Sequence, residues 1–228
     1  MTLRDWNKLP KNMQTEEVRP YYESLKKKKI SLFFKRTFDV VASTIMLVIL
    51  LPLLMIISLL IIIDSRGGVF YRQERVTQYG RKFKIYKFRT MVANADKIGS
   101  QVTVSNDSRI TKVGAVIRKY RLDEIPQLLN ILTGDMTLVG TRPESVYYVK
   151  QYTPEMMATL LLPAGVTSVA SILYKDEAKL LDKAKDVDEV YVEKILPEKM
   201  KYNLDSIMNF GLFNEMKVML RTVIAVIK

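Results

Sequence analysis

Val40 to Ile63 reads VVASTIMLVILLPLLMIISLLIII, 24 residues without a charge. A helix of that length reaches about 36 Å at ~1.5 Å per residue, against a hydrocarbon core of about 30 Å. The stretch predicts a membrane segment rather than the core helix of a soluble domain. It does not read as a cleaved signal peptide, because the run is long and no small-residue cleavage site follows it.

Its flanks bear on topology. Arg19, Lys26 to Lys29, Lys35 and Arg36 precede it; Arg66, Arg72, Arg75, Arg81, Lys82, Lys84, Lys87 and Arg89 follow. The positive-inside rule asks for both flanks in the cytoplasm, which a single span cannot satisfy. Pro52, near the middle of the run, removes a backbone hydrogen bond there. Each half is then about 18 Å long, near the depth of one leaflet. These features predict a helix that enters the membrane and turns back over residues 39–64. A kinked span is the alternative, since membrane helices tolerate proline.

Composition narrows the chemistry. The chain has 228 residues, 36 Lys+Arg against 24 Asp+Glu, and a formal charge of +12. That surplus asks for an anionic partner: nucleic acid, acidic lipid or a phosphorylated substrate. There is no cysteine and no histidine. Disulfides, thiolate chemistry, a Ser-His-Asp device and a His-ligated zinc site are thereby excluded. Asp, Glu, Lys, Arg, Tyr, Ser, Thr or a hard cation remain; of these, carboxylates, arginines and an oxygen-ligated Mg²⁺ suit phosphoryl transfer.

The basic segment 1–38 precedes the apolar run. After it, VFYRQER (69–75) and RKFKIYKFR (81–89) predict short strands around a turn at Tyr79-Gly80. Val113, Val116, Ile117 and Tyr120 recur at helical spacing, as do Ile125, Leu128, Leu129 and Leu132, with Gly134 placed as a C′ residue. TPEMMATLLL (153–162), DEAKLLDKAKD (176–186) and LFNEMKVMLRTVIAVI (212–227) read as helices. The last is either interfacial or a core helix.

Asp123 and Glu124 open the second of these apolar repeats. Asp123 fits an N-cap, with Pro126 in the first turn and Glu124 favoured there by the helix dipole. Arg118 ends the preceding helix, so a short connection brings it toward Asp123. Arg142 lies in a turn context, GTRPE. Arg81, Lys82, Lys84, Lys87 and Arg89 make the hairpin cationic, which also suits a strand facing solvent or lipid headgroups. Residue types alone leave the cap and the chemical reading of Asp123 both open.

FFKRTFDVV, VFYRQERV, FKIYKFRTM, GAVIRKYRLDEIPQLLNILTGDMTLVGTRPE and YNLDSIMNFGLFNEMKVMLRTV occur in that order, over about residues 32–228. The series resembles the bacterial sugar transferases, the monotopic phosphoglycosyl transferases. The resemblance implies an α+β architecture. An N-terminal re-entrant membrane helix (39–64) is followed by a mainly helical catalytic domain (65–228), with a small β-hairpin and interfacial helices. It implies transfer of a sugar-1-phosphate from a UDP-sugar to polyprenyl (undecaprenyl) phosphate with Mg²⁺. The setting would be the bacterial inner membrane with the catalytic domain facing the cytoplasm, in contact with membrane lipid and without nucleic acid; a homodimer is allowed. Carried onto this sequence, Asp123 is the nucleophile that forms a phosphosugar adduct. Asp123 and Glu124 are the metal-binding carboxylates, with a proton-handling role for Glu124 left open. Arg118 and Arg142 hold phosphate oxygens, joined by Lys87 and Arg89 of the hairpin.

The sequence departs from the family pattern in places. Thr141-Arg142-Pro143 replaces Pro-Arg-Pro but keeps the arginine, and Leu51-Pro52 replaces Ser-Pro. Leu162 to Ser168 is a degenerate form of Arg-Pro-Gly-Ile-Thr-Gly, which predicts different donor contacts. The chain is expected to be close to the minimal catalytic form. Two other readings compete: a membrane-anchored basic adaptor, which needs the cations but not Asp123 or Glu124, and an inactive family member.

Overall fold

The computed structural model describes residues 1–93, 95, 107–177, 180 and 186–227. The chain is a helix-dominated α+β structure with two small two-stranded sheets among the described residues. Helix α1 is Arg19–Lys26 and α2 is Lys29–Asp64. Strands β1 (Phe70–Val76) and β2 (Lys82–Phe88) form the expected antiparallel hairpin, with Phe70 opposite Phe88. Tyr79 (φ 59°) and Gly80 (φ 74°) make its left-handed turn.

Helix α2 has 36 residues, roughly 54 Å at helical rise, and is long and apolar enough to cross a membrane. It begins about ten residues before the apolar run, and its helical assignment continues through Pro52. Most of its apolar side chains are exposed; Val48 and Ile49 are 69% and 70% accessible. The inner edge packs on the rest of the chain. Met46, Leu47 and Leu50 lie against Phe83, Ile85, Leu128 and Ile131. Further along, Ile57 and Ile61 bury against Phe88 and Ile117.

Polar contacts hold both ends of α2 to the same body. Buried Lys35 donates to Val139 O (3.0 Å) and to Glu215 Oε2 (2.7 Å). Arg36 donates to Ile131 O (2.7 Å) and Leu132 O (3.2 Å), carbonyls at the C-terminal end of α4 (Gln127–Thr133), where the helix dipole favours a cation. Thr137 Oγ1 donates to Asp39. At the other end Asp64 Oδ2 accepts from Val113 N (3.0 Å), in the first turn of α3 (Lys112–Lys119).

Gly134 takes φ 84° after α4, and Asp135 N returns to Asn130 O, so the chain reverses as expected into β3 (Met136–Val139). After α5 (Val146–Val149), β4 (Ala164–Thr167) pairs with β3 in parallel, a connection the sequence pattern did not reveal. The strand ends approach so closely that a Cβ on Gly165 would lie 2.1 Å from Gly140 O. Residues 153–162 were expected to be helical. They contain a 3₁₀ stretch at Met156–Leu161, whose buried side chains carry the largest core cluster.

The basic N-terminal segment is no loose appendage. Leu9, Met13, Val18, Tyr22 and Leu25 join Leu160, Leu161 and Ile207 in that cluster. Ile207 belongs to α8 (Leu196–Met208), which follows α6 (Val169–Leu173) and the short α7 (Val187–Val190). Most of the helix expected over 176–186 lies outside the described residues. Helix α9 (Leu212–Ile227) is not a core helix: Phe213, Met216, Leu220, Val223 and Ile224 form an exposed apolar stripe, while Val218 packs inward. Such an amphipathic surface helix matches the interfacial reading.

Candidate active site

Three elements converge on Asp123: the end of β2, the end of α3 and the turn before α4. Arg121 sits at φ 52°, left-handed and costly for a side-chain-bearing residue. It reverses the chain after α3 into a 3₁₀ turn at Leu122–Glu124. The capping expectation for Asp123 fails here. Pro126 occupies the position before α4 and no side chain caps that helix. The first amides bond instead within the turn, Leu128 N to Ile125 O (3.1 Å) and Leu129 N to Pro126 O (3.0 Å). With those donors satisfied locally, the Asp123 carboxylate has nothing to cap. It makes no hydrogen bond among the described residues and lines a cavity of about 640 Å³.

Glu124 is bound differently. Arg142 grips it through both guanidinium nitrogens, Nη1 to Oε2 at 3.1 Å and Nη2 to Oε1. Lys87 Nζ lies 3.5 Å from Oε1. Burial opposes charge on Glu124, but Arg142 and Lys87 outweigh it and hold the carboxyl well below the usual carboxylate range. Glu124 in turn raises Arg142 further above its ordinary value. Burial lowers Lys87, against the pull of Glu124. At Asp123 burial wins: the carboxyl is pushed above its ordinary value although Lys87, Arg118 and Arg142 pull it down. Two adjacent carboxylates thus differ sharply, one locked as an anion by an arginine and the other unpartnered.

The structure brings Asp123, Glu124, Arg118, Arg142, Lys87 and Arg89 to one cavity. The Arg118 side chain makes no hydrogen bond or ion pair among the described residues, so its guanidinium is available to an anion. Arg89 is largely committed elsewhere. It donates to Arg66 O (2.6 Å) and Ser65 O (2.7 Å), tying the end of α2 to β2, and its Nε is buried without a partner. Sequence reasoning missed Arg75, Arg121 and Lys175, which line the same cavity. Arg121 is adjacent to Leu122-Asp123 and Arg75 lies in the quoted strand, so their charge was visible; their convergence was not.

Hard oxygen donors are the right class for Mg²⁺, which commonly takes one or two carboxylates and completes its shell with water and substrate phosphate. Asp123 and Glu124 fit that donor set, although Arg142 holds Glu124 in this arrangement. Among the described residues no group of three or more acidic side chains forms a protein-only metal cage. The degenerate stretch 162–168 lines neither this cavity nor the smaller one beside it; it forms β4 and pairs with β3.

The chain is similar to several known proteins. The chain is 33% identical over 197 residues to a UDP-N-acetylgalactosamine-undecaprenyl-phosphate N-acetylgalactosaminephosphotransferase of Aeromonas hydrophila, covering 85% of this chain and 44% of that protein. It is 32% identical over 199 residues to a UDP-glucose:undecaprenyl-phosphate glucose-1-phosphate transferase of Escherichia coli, covering 85% and 40%. A protein of that same description from Caulobacter vibrioides is 32% identical over 192 residues, covering 83% and 68%. The chain thus spans less than half the length of the first two relatives. The model for "Bacterial sugar transferase" matches residues 30–228, which takes in α2 from its second residue onward and every residue of the site, and the chain belongs to that family.

Proposed function

We propose that this chain transfers a sugar-1-phosphate from a UDP-sugar to undecaprenyl phosphate, with Asp123 as the covalent nucleophile. The observation that carries the reading is the contrast within the dyad. Asp123 is unpartnered in a cation-lined cavity, while Glu124 is neutralised by Arg142 and Lys87. A carboxylate attacking a diphosphate meets like-charge repulsion, which surrounding cations offset. An Asp123 oxygen attacks the sugar-linked phosphorus. The new Asp–O–P bond forms as the bond to the bridging oxygen breaks, and UMP leaves with that oxygen. An oxygen of undecaprenyl phosphate then attacks the same phosphorus and expels the Asp123 carboxylate. The product is a polyprenyl diphosphate sugar. Arg118 and Arg142 hold phosphate oxygens. Mg²⁺, when bound at the dyad, would supply further neutralisation of those oxygens.

The two-step route lets a soluble donor and a membrane-bound acceptor use one site in turn. The anchor supports this. Asp39 and Asp64, at opposite ends of the apolar run, are both hydrogen-bonded to the body that carries the dyad. A helix crossing the bilayer would place those ends on opposite faces. Re-entry keeps both on the cytoplasmic side and sets the site at the level of a lipid phosphate.

The test is UMP release from a panel of UDP-sugars by the full chain in membranes supplied with undecaprenyl phosphate. Multiple-turnover release with at least one donor, dependent on the acceptor, is the expected result. A folded, membrane-inserted protein that releases UMP from none of them would overturn the reading and favour the basic adaptor.

A further inference from the structure

Beside the main cavity lies a smaller one of about 260 Å³. Arg75, Lys87, Arg118, Arg121, Arg142 and Lys175 line both, so the two meet across a band of cations. The remaining wall of the smaller cavity has other chemistry. Glu144, Glu177, Lys199, Tyr148, Tyr191 and Ser171 line it and do not line the larger one.

These groups are a fixed, hydrogen-bonded surface. Lys199 Nζ lies 2.8 Å from Tyr191 OH, 2.9 Å from Glu177 Oε2 and 3.5 Å from Glu144 Oε1. Tyr191 OH donates to Glu144 Oε1 at 2.6 Å, and Tyr148 OH donates to Asp188 Oδ1 at 2.6 Å. Burial holds both phenols protonated, far above their ordinary value. The wall thus offers carboxylate acceptors, phenol rings and one ammonium already shared by two carboxylates.

We infer that the smaller cavity receives the sugar of the donor, as a neutral pyranose, with the diphosphate across the shared cations and the nucleoside in the larger cavity. The inference rests on the transferase reading above. Three observations support it. The cavity lies below the ~300–1,000 Å³ of clefts that hold drug-sized ligands, so it suits one sugar ring rather than a nucleotide. The order of surfaces, from open cavity through cations to hydroxyl-binding wall, matches the order of nucleoside, diphosphate and sugar in the donor. Carboxylates and phenols are also the partners that hydroxyl groups and the C–H face of a pyranose use. A uronic acid would bring its carboxylate against buried Glu144 and half-buried Glu177, and like charges held in a cavity wall reject such a ligand. The specificity residues are therefore Glu144, Tyr148, Ser171, Glu177, Tyr191 and Lys199, not the degenerate 162–168 stretch.

The experiment compares wild type, Ser171→Leu and Glu177→Gln as full chains in membranes, with melting curves to confirm folding. Readouts are kcat/KM for UDP-glucose, UDP-N-acetylgalactosamine and UDP-glucuronate, and inhibition by UMP. Ser171→Leu adds volume to the smaller cavity, so donor kcat/KM should fall by roughly tenfold or more while UMP inhibition stays within about twofold. Glu177→Gln removes an acceptor and leaves Lys199 with one carboxylate. The ratio of UDP-glucuronate to UDP-glucose kcat/KM should then rise by roughly tenfold. Unchanged kcat/KM in Ser171→Leu, or UMP inhibition weakened in parallel, would overturn the sugar assignment; an unchanged uronate ratio would overturn the charge exclusion. If Ser171→Leu does not fold, Tyr174→Ala, at the same wall, reads the donor ranking instead, and an unchanged ranking refutes the assignment. Wild type releasing UMP from no donor is the separate failure of the transferase reading, and the sugar assignment falls with it.

Discussion

Asp123→Asn should separate stability from activity in opposite directions. The Asp123 side chain accepts no hydrogen bond among the described residues and caps no helix, so the amide forfeits no native contact. Burial raises the Asp123 carboxyl above its ordinary value, with Lys87 and Arg118 pulling only part of the way back. For a carboxyl raised on folding, the stability contribution is full below the unfolded value and is lost as pH rises through the folded one. Wild type has lost that contribution near neutral pH and the asparagine variant has nothing to lose. We expect Asp123→Asn to be as stable as wild type or up to about 1 kcal/mol more stable near pH 7.5, a Tm rise of up to about 4 °C for a chain of this size. The difference should vanish below about pH 4, where both side chains are neutral. Turnover should fall by about four orders of magnitude or more, equivalent to about 5.5 kcal/mol of transition-state stabilisation, because an amide is a poor nucleophile. Melting curves at the two pH values and UMP release read the two effects. Wild type incubated with sugar-labelled UDP-sugar and no acceptor should retain label on the protein; the variant should not. Retained turnover would refute the nucleophile. An Asp123→Ala variant about 1 kcal/mol less stable than Asp123→Asn would restore the helix cap.

Arg142→Lys keeps a charge but loses the two-nitrogen grip on Glu124, and kcat/KM should fall roughly tenfold or more; unchanged kinetics would remove Arg142 from the phosphate clamp. The acid limb of kcat/KM should lie above the ordinary aspartate value and move further up in Arg118→Gln, since Arg118 is one of the cations that lower Asp123. A limb that stays put would show that Asp123 is not the titrating group. The chain has no cysteine, so Lys8→Cys and Lys194→Cys can be labelled singly in sealed vesicles. Both should react from the same side, and reaction from opposite sides would sink the re-entrant anchor. Asp39→Asn leaves buried Lys35 with Glu215 as its sole carboxylate and should lower stability by roughly 3 kcal/mol in denaturant melts, whereas adding Lys35→Met should recover most of the loss.

The long apolar helix, the hairpin and the Gly134 reversal were legible in the sequence, because each is decided by local physics: an uncharged run long enough for a bilayer, alternation around a turn, a glycine at positive φ. Composition alone excluded histidine and cysteine chemistry. The role of Asp123 was not legible, since a first-turn aspartate reads as a cap until the left-handed Arg121 and its 3₁₀ turn are seen. The parallel pairing of β3 and β4 was hidden because the partners lie about 28 residues apart and each strand has four residues. The packing of the basic N-terminal segment was not legible, because its charges are consecutive while its core residues, Leu9, Met13, Val18 and Tyr22, are scattered. Tertiary structure also decided the use of the cations. Arg36 and Arg89 are engaged by backbone carbonyls, Arg142 by Glu124, and Arg118 is left open to the cavity. A sequence fixes how many charges a chain carries; which of them meet a partner depends on contacts between residues far apart in the chain, and so on the fold.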